Sequence, residues 1–221
     1  MTKLAIFDCD GTLVDSGATI YRALAETFDA HAIDLPPSGD CQRVIGLSLT
    51  EAMAALVPGS STSDHLELAE TYKGCFFRAR QQGLVEEPLY DGILDLLDSL
   101  ESQGWLLGVA TGKSDRGLRH CLQANGIHAR FISLQTADRH PSKPSPQMAL
   151  AAMADAGASA ERTIIVGDPR LDIAMAVAAG AHAIGAAWGY HEPQELVAAG
   201  GGDVAEMPAE VFPLAGEAVN D

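Results

Sequence analysis

Leu4-Ala5-Ile6-Phe7-Asp8-Cys9-Asp10-Gly11-Thr12-Leu13 runs from four apolar residues straight into two acids two positions apart. The apolar run reads as a buried strand ending at Asp8. Side chains two apart on an extended chain point the same way, so Asp8 and Asp10 leave the strand aimed at one place, and Gly11 then permits a sharp turn. Four more short apolar runs repeat the form: Leu106 to Ala110 ending at Thr111, Phe131 to Leu134, Thr163 to Val166 ending at Gly167-Asp168, and Ala181 to Ala186. Helical spacing fills the intervals. Ile93, Leu94, Leu96, Leu97 and Leu100 recur at helix period, as do Ile173, Ala174, Val177 and Ala178 before Gly180 stops the pattern. Strand and helix in alternation specify a doubly wound α/β fold, a parallel sheet with helices on both faces.

One stretch breaks the alternation. Between the first strand and the helix that begins near Asp91 lie about seventy residues with no convincing strand, far more than a βα crossover needs. Residues 17–30 and 65–80 read as helices, the second with Leu66, Ala69, Tyr72 and Phe76 on one face, and 35–40 is a Pro/Gly/Ser loop. The expectation is an inserted all-helical unit over 16–86 and an α/β core over 1–15 and 87–221. The tail after Val204 reads as a short strand and a closing helix, with Gly200-Gly201-Gly202 as a flexible loop before it.

Composition narrows the partners. The chain has 221 residues, 47% hydrophobic and 20% charged, as in an ordinary globular protein. Its formal net charge of −16 argues against nucleic acid, whose phosphates need a basic face, and against a membrane surface. A phosphate ester is still accessible to so acidic a protein if a divalent cation and a few local cations offset the charge in one cleft. Cys9, Cys41, Cys75 and Cys121 are widely spaced and form no CxxC pair, which suits free thiols in a reducing compartment. The apolar run at the N-terminus is too short for a signal peptide, and no stretch approaches the ~20 apolar residues of a membrane helix. A cytoplasmic location is the expectation.

The chemistry lies at strand ends. Asp8 and Asp10 follow the first strand, Thr111 the second, Lys143 lies beyond the third, and Asp168 follows the fourth. In a doubly wound sheet those loops converge at the carboxyl edge, where ligands bind. Each residue alone has a plain explanation. Acids often end strands, a threonine there can cap a helix, and Lys143 between Pro141 and Pro144 can be a surface residue. Asp168 and Asp172 can be an acidic pair favoured by a helix N-terminus. Their order, spacing and convergence together argue for one reactive crevice. Arg139 and Arg170 adjoin these loops but read as surface arginines, and His191 reads as a loop residue instead of a ligand.

On these residues the chain resembles the haloacid dehalogenase-like hydrolases, in particular their phosphoglycolate-phosphatase-like subgroup with a helical cap. Asp8-Cys9-Asp10-Gly11-Thr12-Leu13-Val14-Asp15-Ser16 looks like the family's first motif, Ala110-Thr111-Gly112 its second, Ser142-Lys143-Pro144-Ser145-Pro146 its third, and Gly167-Asp168-Pro169-Arg170-Leu171-Asp172-Ile173 its fourth. The insertion at 16–86 matches the position of the cap. The resemblance implies a phosphatase of small-molecule phosphate esters, phosphoglycolate among them, with Asp8 as nucleophile and Asp10 as acid and base. It implies that Thr111, Gly112 and Lys143 hold the phosphoryl oxygens. It also implies that Mg²⁺ rests on the carboxylates of Asp8 and Asp168 and the main-chain carbonyl of Asp10, with Asp172 acting from behind. Pro169 departs from the family, which places a hydroxyl residue there. Proline suits the first turn of a helix, but a hydrogen bond near the metal is lost.

Three other functions use similar residues. A hydrolytic dehalogenase needs no acid at Asp10, because halide leaves without a proton. A sugar phosphomutase shares the phosphoaspartate and the cap but returns the phosphoryl group to a sugar. A receiver-like signalling module, or a silent binding protein, uses related residues without turnover, but a receiver places its aspartate after a later strand. Oligomeric state is not legible. Specificity would fall to the insertion, where Arg43, Gly46, Leu47 and Ser48 form a loop suited to facing the core.

Overall fold

A computed structural model of the chain describes residues 2–168, 170–191 and 203–219. Six parallel strands form one sheet: β1 (Lys3–Phe7), β2 (Trp105–Thr111), β3 (Phe131–Thr136), β4 (Thr163–Gly167), β5 (His182–Ala186) and β6 (Asp203–Ala205), in the order β3-β2-β1-β4-β5-β6. The chain runs outward from β1 to β3, then returns to the other side of β1 with β4. The crevice at this reversal lies beyond the carboxyl ends of β1 and β4, the usual place for a ligand in such a sheet.

Why β1 carries four apolar residues without alternation is plain from its surroundings. Leu4, Ala5, Ile6 and Phe7 are all fully buried. Ala5 and Phe7 pack into one layer with α5 (Ile93–Ser102), α6 (Asp115–Ala124) and α9 (Pro208–Ala218), which supply Leu97, Leu118 and Val211. Leu4 and Ile6 face the opposite layer, where α7 (Gln147–Ala156) and α8 (Arg170–Ala179) supply Met148, Ala152, Ile173 and Ala176. Each fully buried Leu, Ile or Phe contributes about 1.5–3 kcal/mol, so the two layers clamp the strand that carries Asp8.

Helices α1 (Gly17–Ala30), α2 (Ser38–Arg43), α3 (Leu49–Leu56) and α4 (Thr62–Gln81) follow β1, and no sheet strand lies among them. Leu24, Phe28, Cys41, Met53, Leu68 and Ala69 give them a hydrophobic cluster of their own. Ser61 and Asp64 form a reciprocal cap that starts α4. The two crossings between helices and sheet lie side by side: Val14 bridges Leu89 antiparallel, Asp15 N–H donates to Pro88 O at 2.9 Å, and Tyr90 N–H donates to Leu13 O at 3.1 Å.

Several expectations need correction. α2 begins inside the stretch read as a loop, and α3 had no counterpart. Leu66 is exposed while Leu68, Ala69 and Cys75 form the buried side of α4. In α8, Val177 is 58% exposed, and the inward face is Asp172, Ile173, Met175, Ala176 and Ala179. Asp172 turns inward to Lys143, so the buried face starts with a carboxylate that carries no apolar signal. Pro169 and the loop at Gly200-Gly201-Gly202 lie outside the described residues. Among the described residues, no helix is long and apolar enough to cross a membrane.

Candidate active site

Asp8 continues the line of β1: its N–H donates to Val166 O at 2.9 Å, which seats it between β1 and β4. Its carboxylate is fully enclosed. Oδ1 accepts the Cys9 N–H at 2.7 Å and lies 2.9 Å from Lys143 Nζ, whereas Oδ2 is buried with no hydrogen-bond partner among the described residues. The chain then folds back, with Leu13 and Val14 N–H donating to Cys9 O at 2.9 and 3.0 Å. Gly11 takes φ +80° here, and a Cβ on it would stand 2.7 Å from Asp168 Oδ2. Only glycine meets both demands.

Asp10 hangs from this turn. Ser16 donates its hydroxyl to Asp10 Oδ1, and Lys113 Nζ lies 2.9 Å from the same oxygen. Lys113 also lies 2.7 Å from Glu87 Oε1, so one buried ammonium links the two carboxylates. Burial alone would lower the Lys113 pKa, but Asp10 and Glu87 outweigh it and hold the ammonium above its ordinary range. Thr111 closes β2. Val109 pairs with Phe7, so Thr111 stands level with Cys9 across the sheet. Its Oγ1 accepts the Lys113 N–H at 3.3 Å, while Ser114 caps α6, so Thr111 is not the cap.

Lys143 is wholly buried between two carboxylates, 2.9 Å from Asp8 and 2.6 Å from Asp172. Desolvation works against its charge, but Asp172 and Asp8 together raise its pKa. The same burial raises the pKa of Asp8, which Lys143 only partly counters, and pushes Asp172 well above the usual carboxylate range. Both contacts are charge contacts outside hydrogen-bond geometry, and both Asp172 oxygens lack a hydrogen-bond donor among the described residues. Gly167 makes the approach of Asp172 feasible, because a Cβ there would lie 2.4 Å from the Asp172 side chain.

Asp168 ends β4 and is fully buried. Its N–H donates to Thr12 Oγ1 at 3.0 Å. Oδ2 accepts the Tyr190 N–H at 2.8 Å, and Oδ1 the His191 N–H at 3.0 Å. His191 Nδ1 lies 3.1 Å from Oδ2, which corrects the plain loop reading of His191: it sits in a loop, but against Asp168. Gly189 packs so tightly that a Cβ would stand 2.4 Å from Asp168 Cγ.

Asp8, Asp10, Thr111, Lys143, Asp168 and Asp172 therefore meet at one edge of the sheet. Two of the buried carboxylates, Asp8 and Asp172, share a single ammonium, Lys143. The open oxygen of Asp8 and the spare lone pairs of Asp168 suit a divalent cation, which would relieve the raised pKa values. Among the described residues no three His, Cys, Asp or Glu side chains form a ready-made cage, so a cation here would rest on fewer side chains plus main chain and water.

The inserted helices reach the same edge. Gly46 and Leu47 press on Gly112, where a Cβ would lie 2.3 Å from Leu47 O and 2.7 Å from Gly46 O. Ser48 N–H donates to Ser142 Oγ at 2.8 Å. Arg43 stays outside on Asp40 at 2.8 Å, and Arg139 pairs with Asp115 at 2.9 Å. Arg170 is exposed. Sequence reasoning missed Lys113, Glu87, Ser16 and Tyr190. The available signal was position: Lys113 is in the strand-end loop of Thr111, while Ser16 and Glu87 are the two junctions of the insertion.

A family model described as haloacid dehalogenase-like hydrolase matches residues 5–186. A probable phosphatase, IndB, of Dickeya dadantii is 35% identical over 204 residues, spanning 90% of this chain and 87% of its own. An N-acetylmuramic acid 6-phosphate phosphatase of Pseudomonas aeruginosa is 32% identical over 223 residues, spanning 99% of this chain and 97% of its own. Among solved structures, a hydrolase from Pseudomonas syringae is similar with a TM-score of 0.85 at 26% identity, covering 98% of this chain and 99% of that one.

Proposed function

The chain belongs to the haloacid dehalogenase-like hydrolases, and from that premise we propose that it is a magnesium-dependent phosphatase of small-molecule phosphomonoesters that works through an aspartyl-phosphate on Asp8. One observation carries the reading. Asp8 is a buried carboxylate whose one oxygen is held by Lys143 and the Cys9 N–H while the other has no hydrogen-bond partner among the described residues. Such a group cannot swing away and keeps lone pairs for phosphorus.

In the first step Asp8 attacks phosphorus, its new P–O bond forms as the bond to the leaving oxygen breaks, and Asp10 gives that oxygen its proton. In the second, water attacks the same phosphorus, Asp10 takes the water's proton, and the Asp8 carboxylate is released with phosphate. Thr111 and the Gly112 N–H hold phosphoryl oxygens, and Lys143 offsets their charge. Asp10 is kept on station by Ser16 and Lys113 at Oδ1. The carboxylates of Asp8 and Asp168 and the carbonyl of Asp10 would hold Mg²⁺, with Asp172 behind them through Lys143. When bound, the cation supplies positive charge against the phosphoryl oxygens. Residues 16–86 serve as a cap over the core of 1–15 and 87–221, excluding water and selecting the ester. The unpaired thiols suit a cytoplasmic setting.

The test is phosphate release from nitrophenyl phosphate. Asp8→Asn keeps the fold and loses at least about 10³-fold in turnover, the scale expected of a covalent nucleophile. Retention of more than about a tenth of the activity would refute the nucleophile, and undiminished turnover in excess chelator would refute the metal.

A further inference from the structure

Asp168 is crowded on one oxygen and open on the other. A carboxylate offers two in-plane lone pairs on each oxygen. The next residue in the chain, Pro169, has neither an N–H nor a side-chain donor, so hydrogen bonds to Asp168 must come from elsewhere in the fold. The loop after β5 supplies them. Tyr190 N–H takes one lone pair of Oδ2 at 2.8 Å, and His191 N–H takes one of Oδ1 at 3.0 Å. These two main-chain donors leave one lone pair on each oxygen.

The His191 side chain then breaks the symmetry. Its Nδ1 stands 3.1 Å from Oδ2, and only 7% of the side chain is exposed. As a metal ligand Asp168 is ionised and can only accept, so Nδ1 must carry its hydrogen. A bare nitrogen there would set two lone pairs face to face. Both lone pairs of Oδ2 are thereby in use. The same oxygen is walled in, because a Cβ on Gly11 would stand 2.7 Å from it. Oδ1 accepts only the His191 N–H among the described residues and keeps one lone pair for a cation. His191 grips both oxygens, one through its N–H and one through its ring, so the carboxylate cannot rotate to exchange them.

We infer that His191 is a positioning residue that leaves Asp168 a single oxygen for its cation and so makes the site discriminate against Ca²⁺. The inference rests on the magnesium reading above and deepens it. Mg²⁺ holds a strict octahedron and needs only one oxygen from a carboxylate, whereas Ca²⁺ accepts more ligands and readily takes both. To take both here, Ca²⁺ must displace the imidazole from Oδ2. Mg²⁺ has nothing to displace.

The experiment titrates Mg²⁺ and Ca²⁺ separately into the full chain by calorimetry at one fixed pH. The heat that is absent from Asp168→Asn is assigned to this site. His191→Phe keeps a ring and removes the donor. His191→Asn restores a donor near the place of Nδ1, because both nitrogens are bonded to Cγ. In His191→Phe the ratio of Ca²⁺ to Mg²⁺ affinity should rise at least about tenfold, the lower end of what partners behind a metal ligand control. His191→Asn should stay within about threefold of the unaltered ratio. His191→Ala, smaller and also without a donor, should follow His191→Phe and serves if the bulkier variant folds poorly. A ratio unmoved in the donorless variants would overturn the inference, and so would an equally large shift in His191→Asn. Failure of Mg²⁺ to bind the unaltered chain would instead sink the magnesium reading, and the inference with it.

Discussion

Replacing Lys143 by methionine keeps most of its volume and removes its charge from a fully buried place. Lys143, Asp8 and Asp172 side chains are all 0% exposed, and the ammonium stands within 2.9 Å of both acids. Removing one member of a buried ion pair typically costs about 3–5 kcal/mol, because the partner is left charged and uncompensated. Here two partners are left, so the upper half of that range is expected near neutral pH. The carboxylates have one escape, which is to take up protons. Asp8 and Asp172 already have pKa values raised by burial. An acid whose folded pKa is raised gains stability that is complete below its ordinary pKa and lost as pH rises through the folded value. Without Lys143 the folded values rise further, and the window in which protonation rescues the fold moves upward with them. The destabilisation of Lys143→Met should therefore be large at pH 8 and clearly smaller at pH 5. Urea unfolding of both proteins at the two pH values, in chelator so that no divalent ion replaces the lost charge, measures it. A loss below about 1 kcal/mol at pH 8 would mean that the lysine is not the counter-ion of the two acids, and a loss that grows toward pH 5 would reverse the assigned sign.

Two further outcomes test the acid and the contact between insertion and core. Asp10→Asn should suppress alkyl phosphates far more than nitrophenyl phosphate, whose leaving group hardly needs a proton; rapid-quench measurement of the phosphorylation step should show this split, and equal loss on both would confine Asp10 to positioning. Gly112→Val places side-chain carbon where Leu47 O would be only 2.3 Å away. It should lower kcat/KM by roughly 10–10²-fold through a displaced loop while the unfolding midpoint of the core changes little, and wild-type kinetics in this variant would show that the loop does not close on Gly112 in solution.

The sheet was legible because its strands are covered twice. A strand buried on both faces shows as an unbroken apolar run, and Leu4 to Phe7 is one, with its residues divided between two helical layers. The helices of the insertion were legible only where they are long. α2 and α3 have 6 and 8 residues, barely two turns, so no period could emerge. They are held by contacts of Cys41 and Met53 with a cluster whose other members come from α1 and α4. α8 was placed correctly but with the wrong face inward, since Asp172 heads its buried side.

The same division runs through the site. Asp8, Asp10, Thr111, Lys143, Asp168 and Asp172 could be picked out because each lies at a strand end, in a loop or, for Asp172, in the first turn of a helix just beyond a strand, marked by its immediate neighbours. The groups that hold Asp10 have no such marks. Glu87 is 26 positions from Lys113, and Tyr190 is 174 positions from Ser16, whose N–H it binds at 2.8 Å. Pairings at such distances are created by the fold, and a single lysine or tyrosine has no periodic pattern to announce one. Position explains why they gather there. An insertion that leaves the core at Asp15 and returns at Pro88 must bring both junctions to one point, as the 2.9 Å bond between those residues shows. Asp10 stands five residues before the exit, on the turn that feeds it. Ser16 on the outgoing junction and Glu87 on the returning one therefore both reach the acid, the first directly and the second through Lys113. The polar surroundings of Asp10 thus follow from where the helices were inserted.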